Sequence, residues 1–444
     1  MDSPASPFPN QPAASAPESA TAQSRPTTQL RRALVFPVKF LWGMIFCQGL
    51  LGSILVVGWS YRLAQRTALR FWFSRSSHPQ NRKAFTAFLV EQGFSRHHAD
   101  WPNWFLQQDF RDIFLRQVDS GFLTRVAYIL RGLVYSLWLN FQTGLRGILC
   151  TCALTIPAGV LWWFGWYDGW NNSFNKGYEQ AAVGPLISIL GIVWFIVAMF
   201  YVPLAQARQA FTGGWRSFFD FRFVWGLARA NRLACAGLAL MYCALALPLN
   251  ILKATPMFWP QMNPALVDLS PGQALHALNH YYFWCALVML PAYVVLRLMA
   301  ARLYATAILR AVHSGQTTGS ILHPVEQETL TRLGLLQSRS KPQRSLLVRL
   351  VTWSTTRAGR IVGTVALIFL GFAFVAQVYI SEFVCYHGAM GWLNQPLVQL
   401  PWFHYVPAGL KSPWDQLFLL LLFWLVATLI ASVGTSLLRR SARR

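Results

Sequence analysis

Apolar side chains gather in four stretches, at 145–165, 183–205, 231–252 and 281–303, and each carries one proline: Pro157, Pro203, Pro248 and Pro291. A hydrocarbon core ~30 Å thick is crossed by a helix of about 20 apolar residues. Each stretch therefore predicts a transmembrane helix. Three further stretches have the same character, at 36–60, 361–383 and 416–438. If the first of these crosses fully, about seven helices span; if it is re-entrant, loosened by Gly43, Gly49 and Gly52, about six do. The pattern predicts an all-α polytopic membrane protein, because in lipid the backbone must satisfy its own polar groups.

The intervening polar segments divide the chain. Residues 1–33 are rich in Pro, Ala, Ser and Thr with few large apolar side chains, and are expected to be disordered. They do not read as a signal peptide, since the apolar run starts only after them and no small-residue cleavage site follows it. Residues 34–60 form the first expected span, and 61–144 a basic cytoplasmic segment with a helical hairpin. In that hairpin Phe85, Phe88 and Leu89 share a face before a stop at Gly93, and Phe105, Phe110, Ile113 and Phe114 resume after Asp100. Residues 145–303 hold the four proline-bearing spans as two pairs, 304–360 a basic linker with short helices, and 361–444 a C-terminal transmembrane pair. In the linker, Pro324 suits the first helical position, with Glu326 and Glu328 in the first turn. The two pairs look alike: Pro203 leads through small residues to Arg208, and Pro291 leads to Arg297 and Arg302. Both run in the same direction, which predicts a parallel duplication of helix pairs.

Charge orients these elements. Lys and Arg collect in cytoplasmic loops, and 206–232 carries Arg208, Arg216, Arg222, Arg229 and Arg232, whereas 166–182 has Asp168 and Glu179 against Lys176. The basic loop and the C-terminus, which ends in a run of arginines, are thus expected inside, and the 166–182 loop outside. The net charge of +23 does not mark a nucleic-acid partner. Its basic residues flank the spans, where an anionic leaflet attracts each by about 1 kcal/mol. Arg62, Arg66 and Arg70, four apart and followed by Trp72, predict a helix lying along the headgroups. Only 12% of residues are charged, against about 25% in soluble domains. Six of the seven cysteines lie in apolar stretches, which argues against a disulfide framework and a thiolate metal cluster.

Candidate chemistry is sparse, with no catalytic or cofactor signature. The outer loop concentrates Trp166, Asp168, Trp170, Asn171, Asn172, Asn175, Lys176 and Glu179, a set suited to a partner protein or a polar headgroup. The plainer alternative is an interfacial belt, with Trp at headgroup depth and Asn in turns. Arg208, Arg216 and Arg222 are candidates for anionic-lipid contact through guanidinium–phosphate pairing. His276 and His280, four apart, would stack two imidazoles on one helix face as metal ligation requires, but no carboxylate or attachment motif accompanies them. No metal or cofactor is expected. The expected partners are membrane lipids, including anionic headgroups, and other membrane proteins.

Over residues 130–310, the tract Trp166–Gln180 and the tract Pro203–Arg222 resemble bacterial multi-spanning inner-membrane proteins built from proline-bearing helix pairs. The resemblance implies an inner-membrane protein and carries over no catalytic residue. Because the spans hold few ionisable side chains, the sequence favours a non-enzymatic scaffold or assembly subunit. The alternative is a transporter or lipid-handling protein whose paired, kinked helices frame a cavity.

Overall fold

A computed structural model of the chain describes residues 27–92, 122–165, 183–264, 269–313, 322–336 and 346–379. Expectations for residues 1–26, the second half of the hairpin, the 166–182 loop and the 416–438 stretch lie outside them. Among the described residues the elements are helices: α1 (Thr27–Phe46), α2 (Leu50–Phe73), α3 (Arg82–Glu91), α4 (Phe122–Gly165), α5 (Val183–Thr212), α6 (Trp215–Phe218), α7 (Phe221–Ala230), α8 (Arg232–Ala254), α9 (Trp259–Met262), α10 (Pro271–His313), α11 (Pro324–Arg332) and α12 (Leu346–Tyr379). Among the described residues, four helical segments are long and apolar enough to cross a membrane: Leu130–Leu161, Leu186–Thr212, Arg232–Leu249 and Pro271–His313. They correspond to the four proline-bearing stretches, and each helix runs through its proline without ending there.

The outer faces are those of a membrane protein. On α5, Leu186, Ile189, Leu190, Val193, Trp194 and Val197 are exposed and recur every three or four residues, as do Ile361, Val362, Val365, Ile368 and Phe372 on α12. Apolar stripes of this breadth are covered by a partner or by lipid. Past Val197, α5 changes character, and every residue from Tyr201 to Phe211 is buried. Along its length α5 packs against α2, α4, α10, α11 and α12, which makes it the central helix among the described residues. The main core runs along this segment and includes Trp72, Phe211, Tyr304 and Ile308, with Trp72 donating from Nε1 to the Ala305 carbonyl at 3.0 Å.

The N-terminal stretch departs from a single span. The chain breaks at Cys47–Gly49 between α1 and α2, where Gly49 is extended (φ −138°, ψ 156°). At Gly52 the backbone of Phe46 comes so close that a Cβ would collide with its carbonyl. α1 also begins at Thr27, inside the stretch expected to be disordered, since nothing between Thr27 and Pro37 interrupts helical geometry. Of the residues expected along the headgroups, Arg66 and Trp72 on α2 are buried instead, Arg62 is half-buried and Arg70 is exposed. α2 reaches the core because it crosses α4 at two glycines. A Cβ on Gly58 would strike the Asn140 carbonyl, and one on Gly144 would strike that of Ile54, so the backbones meet directly. α3 ends at Glu91 with Gln92 as its C-cap, one residue before the expected stop at Gly93, and Phe85, Phe88 and Leu89 are its buried face.

Candidate functional site

The buried length of α5 reads Tyr201, Val202, Pro203, Leu204, Ala205, Gln206, Ala207, Arg208, Gln209, Ala210, Phe211, and its polar side chains radiate to α2, α4, α6, α10 and α11. Gln206 donates from Nε2 to Thr151 Oγ1 of α4 at 2.7 Å and accepts at Oε1 from Nη1 of Arg297 on α10. Gln209 faces Cys150 of α4 at 3.3 Å and accepts a long bond, 3.4 Å, from the Tyr61 hydroxyl of α2. Arg297 is 7% exposed. Its guanidinium lies 5.0 Å from the Tyr293 ring centre and 5.8 Å from that of Tyr61. Tyr293 and Ser60 share a hydrogen bond of 3.0 Å. The charge of Arg297 is thus met by neutral oxygens and aromatic faces. Its Nε and the buried Tyr242 hydroxyl have no hydrogen-bond partner. Arg297 is a buried cation within a candidate span, a placement that marks functional residues in membrane proteins.

One step along α5, Arg208 joins a second cluster. It donates from Nε to Glu326 Oε1 at 3.0 Å and from Nη1 to Asp220 Oδ2 at 2.6 Å, and stacks 4.0 Å from the centre of the Phe223 ring. The Glu326 side chain is fully buried, whereas that of Asp220 is 40% exposed. Each carboxylate also caps a helix. Asp220 accepts from the Phe223 N–H at the start of α7, and Glu326 accepts from the His323 N–H at 2.8 Å. The Val325 N–H in turn donates to the His323 side chain, completing a capping box at the start of α11. The Tyr304 hydroxyl of α10 donates to Glu326, and the Tyr201 hydroxyl donates to the Phe218 carbonyl. Glu326 therefore ties α5, α10 and α11 at one point. Burial holds the His323 imidazole below its ordinary pKa, opposed by the nearby Glu326 carboxylate.

This geometry revises the sequence-based candidates. Arg208 is 2% exposed and bound to two carboxylates, so it cannot offer its charge to a lipid headgroup as expected. Arg216 and Arg222 are exposed, and Arg216 sits 5.8 Å from the centre of the Trp215 ring. His276 and His280 are both exposed on α10, and His280 Nε2 accepts from the Trp284 indole at 3.1 Å. Among the described residues no three His, Cys, Asp or Glu side chains come together as a metal site. Cys47, Cys150, Cys152, Cys235, Cys243 and Cys285 are buried free thiols. Trp166, Asp168, Trp170, Asn171, Asn172, Asn175, Lys176 and Glu179 lie outside the described residues. Gln206, Gln209, Tyr61, Tyr293 and Glu326 were not legible as a cluster, because they come from four helices far apart in the chain. Compared with protein-family models, curated proteins and solved structures, the chain matches none.

Proposed function

We propose that this is a multi-pass protein of a bacterial cytoplasmic membrane, with its C-terminus inside, that acts as a non-enzymatic scaffold or assembly subunit. The observation that carries this reading is the construction of α5. From Tyr201 to Phe211 it is buried on all sides, and its polar groups end on α2, α4, α10 and α11 within the same chain. Such bonds, each worth more because the site is buried, hold one arrangement of helices. Pro203, the proline closest to this seam, is buried against neighbours, and Pro248 and Pro291 face outward. A fixed frame with apolar outer stripes suits a protein that holds others in place. The Asn- and Trp-rich 166–182 loop supplies aromatic anchors and polar groups of the kind interfaces use. The basic 206–232 loop and the arginine-rich C-terminus support the cytoplasmic orientation.

A second reading, a transporter or lipid-handling protein, draws support from Arg297, a buried cation in a span with only neutral partners. One pair of variants separates the two. Under the scaffold reading, the chain migrates on native gels of gently solubilised membranes in an assembly with a second polypeptide. The triple variant Trp166→Ala, Trp170→Ala, Asn172→Ala then runs at the mass of the free chain while remaining inserted. If the unaltered chain runs alone, and Arg297→Leu abolishes uptake of an anionic solute in reconstituted vesicles, the transporter reading replaces it.

A further inference from the structure

Where α2 and α10 end beside the turn that follows α11, the surface opens into a cleft of about 660 Å³. Arg75, Ser76 and Ser77 line one side, Thr306, Arg310 and His313 another, and the Leu333–Leu335 turn closes the third. None of the lining side chains is acidic. The volume lies in the range of ligand sites, roughly 300–1,000 Å³. We propose that this cleft binds a phosphate group presented by an anionic phospholipid headgroup.

Three observations support that ligand. The first is charge: the guanidiniums of Arg75 and Arg310 line the cleft with the His313 imidazole and the Ser77 hydroxyl, and guanidinium–phosphate bonds are among the strong ones in proteins. The second is depth. α10 is 43 residues long, about 65 Å at ~1.5 Å per residue, roughly twice the hydrocarbon thickness. With the apolar stretch 281–303 in the hydrocarbon, Thr306–His313 extend roughly 5–15 Å beyond its edge, at and just past the headgroup layer. The third is amphipathicity. Phe71 and the leucines of the turn give the cleft an apolar wall beside its cations, which fits a headgroup with its glycerol and not a fully hydrated anion.

The competing explanation is that these cations only complement the negative ends of helix dipoles, which are worth a few tenths to 1 kcal/mol each. At α2, however, the terminal carbonyls are already occupied. The Ser74 and Ser76 hydroxyls donate to the carbonyls of Phe71 and Phe73, the Gln80 amide reaches Phe73 as well, and backbone N–H groups take Arg70 and Trp72. Among the described residues, Arg75 lies over the face of Phe71, 5.4 Å from the ring centre, and forms no ion pair. Arg310 is held in place by a 2.8 Å bond to Asn231 Oδ1, which leaves its other donors for a ligand. The inference does not depend on the scaffold reading.

The test uses the full chain in nanodiscs of neutral phospholipid with a minor fraction of phosphatidylglycerol, and counts the lipids retained by native mass spectrometry. The unaltered chain is expected to retain phosphatidylglycerol preferentially. Reversing one cation should weaken retention about 25-fold, since each unit of charge is worth roughly fivefold near a membrane. Arg75→Glu is the primary variant because its side chain is exposed and its loss spares the fold. Lys83→Glu, an exposed cation on α3 that does not line the cleft, should leave retention unchanged. Equal losses from Arg75→Glu and Lys83→Glu, or no loss from Arg75→Glu and His313→Gln, would overturn the site. If inorganic phosphate stabilises the chain through Arg75 with no preference for phosphatidylglycerol, the headgroup source is overturned and the bound species is a soluble phosphate.

Discussion

Replacing Glu326 with glutamine tests the junction at which three helices meet. The carboxylate accepts from Arg208 and Tyr304 on Oε1 and from the His323 N–H on Oε2. A glutamine keeps the shape but turns one acceptor into a donor, so either Arg208 and Tyr304 or the His323 N–H faces an amide N–H₂. It also removes the buried negative charge. Breaking a buried ion pair from one side costs about 3–5 kcal/mol, and the lower figure applies because Asp220 still holds Nη1 of Arg208. At ~3 kcal/mol, local opening of α11 becomes on the order of 100-fold more frequent. Hydrogen exchange of peptides covering 322–336, with the full chain in nanodiscs, reads this directly. Glu328→Gln is the control, for it removes an exposed i, i+4 pair with Arg332, worth a few tenths of a kcal/mol, and less than about twofold acceleration is expected. If the Glu326→Gln and Glu328→Gln variants exchange at similar rates, the carboxylate does not anchor α11 and the junction is wrongly understood.

The crossing of α2 and α4 gives a second expectation. Gly58→Ala or Gly144→Ala places a Cβ on opposing backbone, costing about 1–3 kcal/mol or more and lowering the melting temperature in detergent, whereas Gly49→Ala, with open space at its Cβ, leaves it unchanged. The third expectation concerns pH. The His323 pKa is depressed in the fold, so the neutral imidazole stabilises α11 above its unfolded value of about 6.5, and that stability falls away as pH drops through the lower folded value. Protection in the first turn of α11, corrected for intrinsic exchange, should fall as pH drops below about 6.5, and His323→Asn, which keeps a cap, should remove that dependence. The fourth concerns topology: a cysteine at Ser173 should react with an impermeant reagent from outside, and one at exposed Arg222 should not. The reverse labelling pattern would refute the orientation.

The parts of the fold legible in the sequence were those written in local pattern. The four proline-bearing stretches became helices because about 20 apolar residues in a row leave a membrane chain little alternative. Pro324 with Glu326 announced α11, since a proline at the first helical position and an acid in the first turn are local signals. What escaped was long-range. Arg208 reads as a cytoplasmic basic residue by its neighbours along the chain, yet its partner Glu326 is 118 positions away. Likewise Arg62, Arg66 and Arg70 have the spacing of a headgroup helix. Yet Arg66 is buried and Arg62 half-buried, with only Arg70 exposed, because α2 is drawn against α4 at the Gly58–Gly144 crossing, which periodicity within one helix does not report. A signal was present in Tyr201–Phe211, where proline, three alanines and two glutamines without a charged outer face describe a helix surrounded by others. The break at Cys47–Gly49 was foreshadowed by Gly43, Gly49 and Gly52, but glycines alone do not say where a helix ends.

The account rests most directly on α5 and α10 being locked together by the Gln206–Arg297 contact. Spin labels at exposed Val197 on α5 and exposed Val295 on α10, in the full chain in nanodiscs, measure their separation by double electron–electron resonance. A single narrow distance distribution, unchanged by pH, anionic solutes or lipid composition, is the result a scaffold predicts. Two populations whose ratio shifts with any of these would contradict it, for they are the behaviour of a protein that alternates between states.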